Sequence, residues 1–374
     1  MERTGKKEGI LFIDEINCVS ETLAPTMLQF LQNKTFGSHS VPEGWLIAAA
    51  GNPPEYNKSV REFDIVTLDR VRRMDIEADL DVWMEYAWKK EIHGSILAYL
   101  GMKKDHFYSV ENTVDGKFFV TARGWEDLSE ILKAYEELGV EITENLIGEY
   151  LCRDEIARSF FASYQLYRKY GEDYGLKRLL SGEMAEEEQQ KKVKMAEGAS
   201  FEERFLVTGL LLSGLNGSFL DYEKLDKETG AVYQELLHLK AFLHDKKDMT
   251  ALDEFTDVKK KSLAVRLEAE LLNLEQQTTE EFVIRTLEEF SLTIRKEHIT
   301  DTETGFERIR QLFTEMVEKR KDCAKKISRE LERAFAFMKA CFGDGQETVL
   351  FVTGLTRNSH AAAFIREYGC DPYF

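Results

Sequence analysis

Gly9-Ile10-Leu11-Phe12-Ile13-Asp14-Glu15 is the stretch on which the fold turns. An apolar run of this length, ended abruptly by charge, predicts a parallel strand buried on both faces. Two carboxylates at its end suit nucleotide hydrolysis. Asp14 would hold Mg²⁺ through water, and Glu15 would polarise the attacking water as general base. Without that chemistry the same run is a strand entering a solvated turn, so the pair gains meaning only from residues farther along the chain.

Working outward, Ser20 is expected to cap a helix containing Leu23, Met27, Leu28 and Leu31, with Pro25 in or near its first turn. Trp45-Leu46-Ile47-Ala48-Ala49-Ala50 predicts a second buried strand, ended by Gly51-Asn52-Pro53-Pro54, and Met74-Asp75-Ile76 a short third. If the first two strands are neighbours, Asn52 lies beside Asp14 and Glu15 and can orient the same water. Leu68-Asp69-Arg70-Val71-Arg72-Arg73 comes next as a basic cluster at a helix end. Arginines there are solvated or partner the helix dipole; in a ring, one of them can reach a neighbour's γ-phosphate as an arginine finger. Phe119-Val120-Thr121-Ala122-Arg123-Gly124-Trp125 then sets Arg123 at the start of a helix that continues through Leu128, Ile131 and Leu132.

The order of these motifs resembles the MoxR-like branch of the AAA+ ATPases, in the dynein-related AAA-type subfamily. Ile10 to Glu15 is similar to the Walker B strand, Ala49 to Pro53 to sensor 1 and Leu68-Asp69-Arg70 to the Leu-Asp-Arg-Phe arginine-finger motif. Thr121-Ala122-Arg123 is similar to the Ser-Pro-Arg of sensor 2. Val71 stands where the family has phenylalanine, and the sensor 2 proline is missing. The resemblance covers residues 8 to 150 or so. It implies ATP and Mg²⁺ as ligands, with Asp14 on the metal and Glu15, Asn52 and Arg70 in hydrolysis. Arg123 would sense the nucleotide, while Arg72 and Arg73 compete with Arg70 as the finger. It further implies a homo-oligomeric ring, a hexamer, which remodels client proteins, often ones with a von Willebrand factor A domain, in the manner of a chaperone. The phosphate-binding loop of that family is another matter. No Gly-x-x-x-x-Gly-Lys-Ser/Thr occurs in the sequence, and Gly5-Lys6-Lys7 is the nearest fragment. In the family fold the strand carrying that loop lies between the sensor 1 strand and the last strand. The expectation is therefore a chain that begins inside a longer gene, with Met1 an internal methionine.

Proline sets the remaining organisation. Pro25, Pro42, Pro53 and Pro54 fall early and the next is Pro372, so the long stretch between is permissive for helix. The expected fold class is α/β plus all-α. A partial AAA+ parallel-sheet core (1–78) precedes a helical lid region (79–181), a charged linker (182–204) and a mainly helical C-terminal region (205–374). Within the lid, Val110 to Val120 carries Asp115-Gly116 and predicts a hairpin. Phe306 to Phe342 repeats apolar residues near a 3.6 period and predicts one long helix or a kinked pair, whereas Thr348-Val349-Leu350-Phe351-Val352 reads as a strand.

Composition excludes several classes. The formal charge of −18 disfavours a nucleic-acid motor, because phosphate binding needs a basic face. No apolar stretch approaches the roughly 20 residues of a membrane span, and no secretory signal opens the chain, so a cytoplasmic protein is expected. Five scattered cysteines without Cys-x-x-Cys spacing suit reduced, mostly buried thiols and neither a disulfide framework nor a zinc site. Set apart from the resemblance, the chain has a second reading: a non-enzymatic helical interaction subunit with a degenerate nucleotide site.

Overall fold

The computed structural model describes residues 7–18, 20, 22–53, 65, 69, 71–113, 116–244, 246 and 248–370. The chain divides into two compact units. One comprises Met1–Glu77 with Val265–Leu271, the other Ala78–Ala264 with Leu272–Phe374. The chain is mostly helical, and its few short strands form small sheets.

In the first unit, β1 (Gly9–Ile13) pairs in parallel with β4 (Trp45–Ala49), with Gly9 opposite Trp45 and Ile13 opposite Ala49. Glycine is required at position 9, because a Cβ there would lie 2.8 Å from the Trp45 ring. Between the two strands run α1 (Ala24–Asn33) and the two-residue strands β2 (Thr35–Phe36) and β3 (His39–Ser40). α1 starts with proline in its first turn but is not capped by Ser20. Its N-cap is Leu23, with no side-chain cap, and the Ser20 hydroxyl meets that of Thr22 at 3.0 Å. Lys34 ends the helix in the left-handed region and sends its ammonium to the Trp45 carbonyl at 2.8 Å, tying α1 to β4.

Two further expectations for this unit fail. β1 is not buried on both faces: Ile10 and Phe12 are 64% and 62% exposed, and Leu46 on β4 is 62% exposed. A parallel strand needs a cover on each face, and here the residues of one face, Ile10, Phe12 and Leu46, stay exposed. Nor do Met74 and Ile76 form a strand. They lie in an irregular, exposed segment, and among the described residues no strand pairs with them.

The second unit opens with α2 (Leu80–Lys89), capped by Asp79, and α3 (Gly94–Met102). The expected hairpin forms from β5 (Ser109–Thr113) and β6 (Gly116–Val120). Then come α4 (Ala122–Leu138), α5 (Glu144–Tyr150), α6 (Asp154–Tyr174), α7 (Leu176–Ser181) and α8 (Glu186–Glu197), the last falling within the charged 182–204 segment. α9 (Phe201–Leu243), α10 (Thr250–Glu268), α11 (Leu274–Lys296) and α12 (Thr302–Phe342) come after it, with α13 (Gln346–Arg357) and α14 (Ser359–Tyr368) last. The long periodic stretch is thus one unbroken helix of 41 residues, about 60 Å at 1.5 Å per residue. The predicted strand at Thr348–Val352 lies instead inside α13. Its Phe351 and Leu355, four apart, are both buried, and Phe351 meets Phe335 edge-on at 5.2 Å. That spacing serves a helix, and packing overrides the β-propensity of the threonine and valines.

The main core joins α2–α9 to the second half of α12 and to α13 and α14. Its centre is aromatic. Trp125, Tyr99 and Phe160 touch one another at 5.3 to 5.9 Å between ring centroids, and the Trp125 indole donates to the Phe107 carbonyl at 3.0 Å. Offset and edge contacts of this kind add to the gain from burial. α9 approaches α3 closely at Gly209, where a Cβ would lie 2.7 Å from that of Ala98. A second core gathers the far half of α9, α10, α11 and the first half of α12 around Leu239, Leu252, Leu287 and Ile309.

Candidate functional site

The ends of β1 and β4 form the only place where the sequence-predicted residues meet among the described residues. After Ile13 the chain turns sharply. Asp14 accepts the Glu15 backbone N–H through Oδ1 at 2.9 Å, Glu15 has φ +51°, and the Cys18 N–H returns to the Glu15 carbonyl at 2.9 Å. The left-handed region is uncommon for a residue with a Cβ and marks a tightly determined turn. β4 enters beside it: Ala50 donates to the Ile13 carbonyl and Ile16 to the Ala50 carbonyl, each at 2.9 Å. The Asn17 side chain then donates to the Asn52 carbonyl at 2.8 Å.

Asn17 is the residue that sequence reasoning missed. It fastens the turn after β1 to the turn after β4, and a Cβ on Gly51 would sit 2.5 Å from its Oδ1. That Oδ1 is buried and has no partner. The signal in the sequence was an amide residue two positions after a carboxylate pair, read against the glycine preceding Asn52. The result is a polar sheet end carrying Asp14, Glu15, Asn17 and Asn52.

The remaining candidates lie elsewhere in the sequence. Arg70 lies outside the described residues. Arg72 is exposed, and Arg73 pairs with Asp75 at 2.7 Å. Arg123 belongs to the helical unit, where it is exposed in the first turn of α4 behind the Thr121 cap, whose hydroxyl accepts from Gly124 at 3.2 Å. No group of three or more His, Cys, Asp or Glu residues able to hold a metal exists among the described residues. One exposed carboxylate with one oxygen already engaged, that of Asp14, suits a hard cation held through water better than one held directly.

A second polar cluster lies in the helical unit, beside a cleft of about 270 Å³ lined in part by Trp88, Glu91, His93, Lys133, Ser213 and Asp221. His93 caps α3. Its Nδ1 meets the Ser95 hydroxyl at 2.7 Å and accepts the Ser95 N–H, which leaves the ring proton on Nε2, facing Glu136 at 3.2 Å. The Tyr164 hydroxyl donates to the other oxygen of Glu136 at 2.8 Å. Burial alone would raise the Glu136 carboxyl, but the His93 contact and the Tyr164 hydroxyl hold it below the usual carboxylate range. Burial and the same carboxylate push the Tyr164 phenol well above its ordinary value. Nδ1 of His93 is occupied in capping α3 and Nε2 in tying it to Glu136 on α4, so the cluster is a structural tie with no free base. Among the described residues the cysteines form no disulfide, and burial pushes Cys341 up to about 12.

No family model matches this chain, and neither the curated proteins nor the solved structures compared with it give a match.

Proposed function

We propose that the sheet unit is the hydrolysis side of a MoxR-like AAA+ nucleotide site. The observation that carries this reading is the parallel pairing of β1 with β4, which sets Asp14 and Glu15 at the same sheet end as Asn52. In this reading ATP is the substrate, and Asp14 would hold a Mg²⁺ ion through water, which would supply charge neutralisation at the phosphates. Glu15 draws a proton from the attacking water, and Asn52 fixes that water's orientation. Arg70, with Arg72 and Arg73 as alternatives, would serve a neighbouring subunit's site in a hexameric ring, and Arg123 would report the state of the nucleotide. The clients of such a ring are proteins it remodels, among them von Willebrand factor A domain proteins. A cytoplasmic chaperone suits a chain in which, among the described residues, no helix is long and apolar enough to cross a membrane.

A second reading is favoured by the sequence's lack of a phosphate-binding Gly-x-x-x-x-Gly-Lys-Ser/Thr and by the exposed apolar residues of β1. In it the chain is a non-enzymatic interaction subunit. Mg-ATP binding and turnover by the full-length protein separate the two. The ATPase reading expects Glu15→Gln to lower turnover by roughly 10²- to 10⁴-fold with nucleotide binding retained. Unchanged turnover would remove Glu15 from its role, and no binding by the wild type would establish the interaction subunit.

A further inference from the structure

The two cores of the helical unit share two helices, but among the described residues no buried side chain belongs to both. α9 contributes to the main core up to Tyr222 and to the second core from Ala231 onward. α12 runs the opposite way, leaving the second core at Met316 and entering the main one at Cys323. The intervening turns, Glu223 to Gly230 and Val317 to Asp322, are charged and half-exposed. Ion pairs fill this waist. Arg320 on α12 meets Asp226 on α9 at 2.7 Å and Glu367 on α14 at 3.8 Å. Lys227 on α9 lies between Glu223 at 2.8 Å and Glu275 of α11 at 2.6 Å, and Glu223 in turn holds His360 of α14.

The backbone is soft at the same level. The buried Thr229 hydroxyl donates to the Leu225 carbonyl at 2.7 Å, the back-bond that bends helices. Gly230 is next in the chain, and a Cβ there would meet nothing within 4 Å. No close approach therefore calls for glycine at 230, while glycine in a helix interior is a recurrent site of bending. Half-exposed ion pairs resist deformation far less than close-packed apolar side chains do. Lys227, with one carboxylate on each side, can stay paired through a change of angle. The Arg320 Nε and His360 Nε2 atoms are buried without partners, so the waist is incompletely satisfied as it stands.

From this we infer that the waist at Glu223–Gly230 and Val317–Asp322 is a hinge about which the second core swings relative to the main one, with Arg320 and Lys227 as its electrostatic latch. Spin labels on non-natural residues at the exposed positions Glu187 and Lys240 leave the five native cysteines untouched and report the distance across the waist. The hinge predicts a broad or two-population distance distribution in the wild-type protein. Arg320→Ala broadens it further, and Gly230→Ala, which adds a methyl to open space, narrows it by about twofold. A single narrow wild-type distribution would overturn the inference. So would a broad one that Gly230→Ala, the variant least able to disturb folding, leaves unchanged.

Discussion

Phe12 and Phe160 are the same residue in opposite circumstances. Phe12 stands on a strand that reads as core and is 62% exposed, whereas Phe160 on α6 is fully buried against Tyr99 and Trp125. The contrast holds for the two units as wholes. The sheet unit carries most of the candidate chemistry, on a pair of strands with one apolar face open. The helical unit carries little recognisable chemistry, on two well-packed cores. Two paired strands are marginal by themselves, because each leaves a ladder edge and a face unfilled. Stability and candidate activity therefore reside in different parts of the chain.

The sharpest way to break that comparison is to remove both rings. Phe160→Ala should cost about 3–5 kcal/mol, read as a lowered midpoint in urea unfolding followed by circular dichroism. Phe12→Ala should change it by no more than about 0.5 kcal/mol, as surface substitutions do. Equal losses would mean that the face of β1 is covered in solution. Polar fastenings give a finer test. Asn358 is buried, accepts the His360 and Ala361 N–H groups at the start of α14, and donates to Asn216 at 2.6 Å. Asn358→Ala should cost about 1–3 kcal/mol, since it removes a cap and leaves Asn216 short of a partner. The corresponding stitch in the sheet unit, Asn17→Ala, should cost about 1 kcal/mol or less, because its bond to Asn52 is exposed.

A third test is pH-dependent. Glu136 has its folded pKa depressed by His93 and Tyr164, so its contribution is present above the unfolded carboxyl value and disappears as pH falls through the folded one. Glu136→Gln should lower stability by about 1 kcal/mol at pH 7, a modest figure because the carboxylate is partly exposed. The gap between variant and wild type should close as the pH falls from the ordinary carboxyl range through the depressed folded value. A gap that persists into acid would assign the loss to packing instead of charge.

How legible these features were depended on whether local pattern and tertiary context agreed. β1 and β4 could be read because apolar runs ending in polar turns leave few alternatives, and their pairing is natural once both lie in one small sheet. The hairpin announced itself through Asp115-Gly116, and α12 through a period sustained over ten turns. Thr348 to Val352 misled because β-branched residues favour strands until a neighbour asks for side chains four apart. Ser20 misled because a hydroxyl before an apolar period caps a helix only when the chain turns in there, and here it turns in at Leu23. Asn17 left only a faint trace in the sequence, an amide two positions after the carboxylate pair. Its importance arises from a contact 35 positions away, which a local pattern does not identify by itself.

One such distant contact governs the order of events during synthesis. α7 ends at Gly182, with φ +81°, under the guanidinium of Arg333, which donates to the Leu180 carbonyl at 2.7 Å. The two partners are 153 residues apart. At about 5–20 residues per second, a ribosome takes roughly 8–30 s to deliver that arginine after the carbonyl has been made. Until then the end of α7 and the apolar sides of α7 and α8 that face α12 wait open, and this part of the helical unit emerges as an unfinished surface that only the late chain can close.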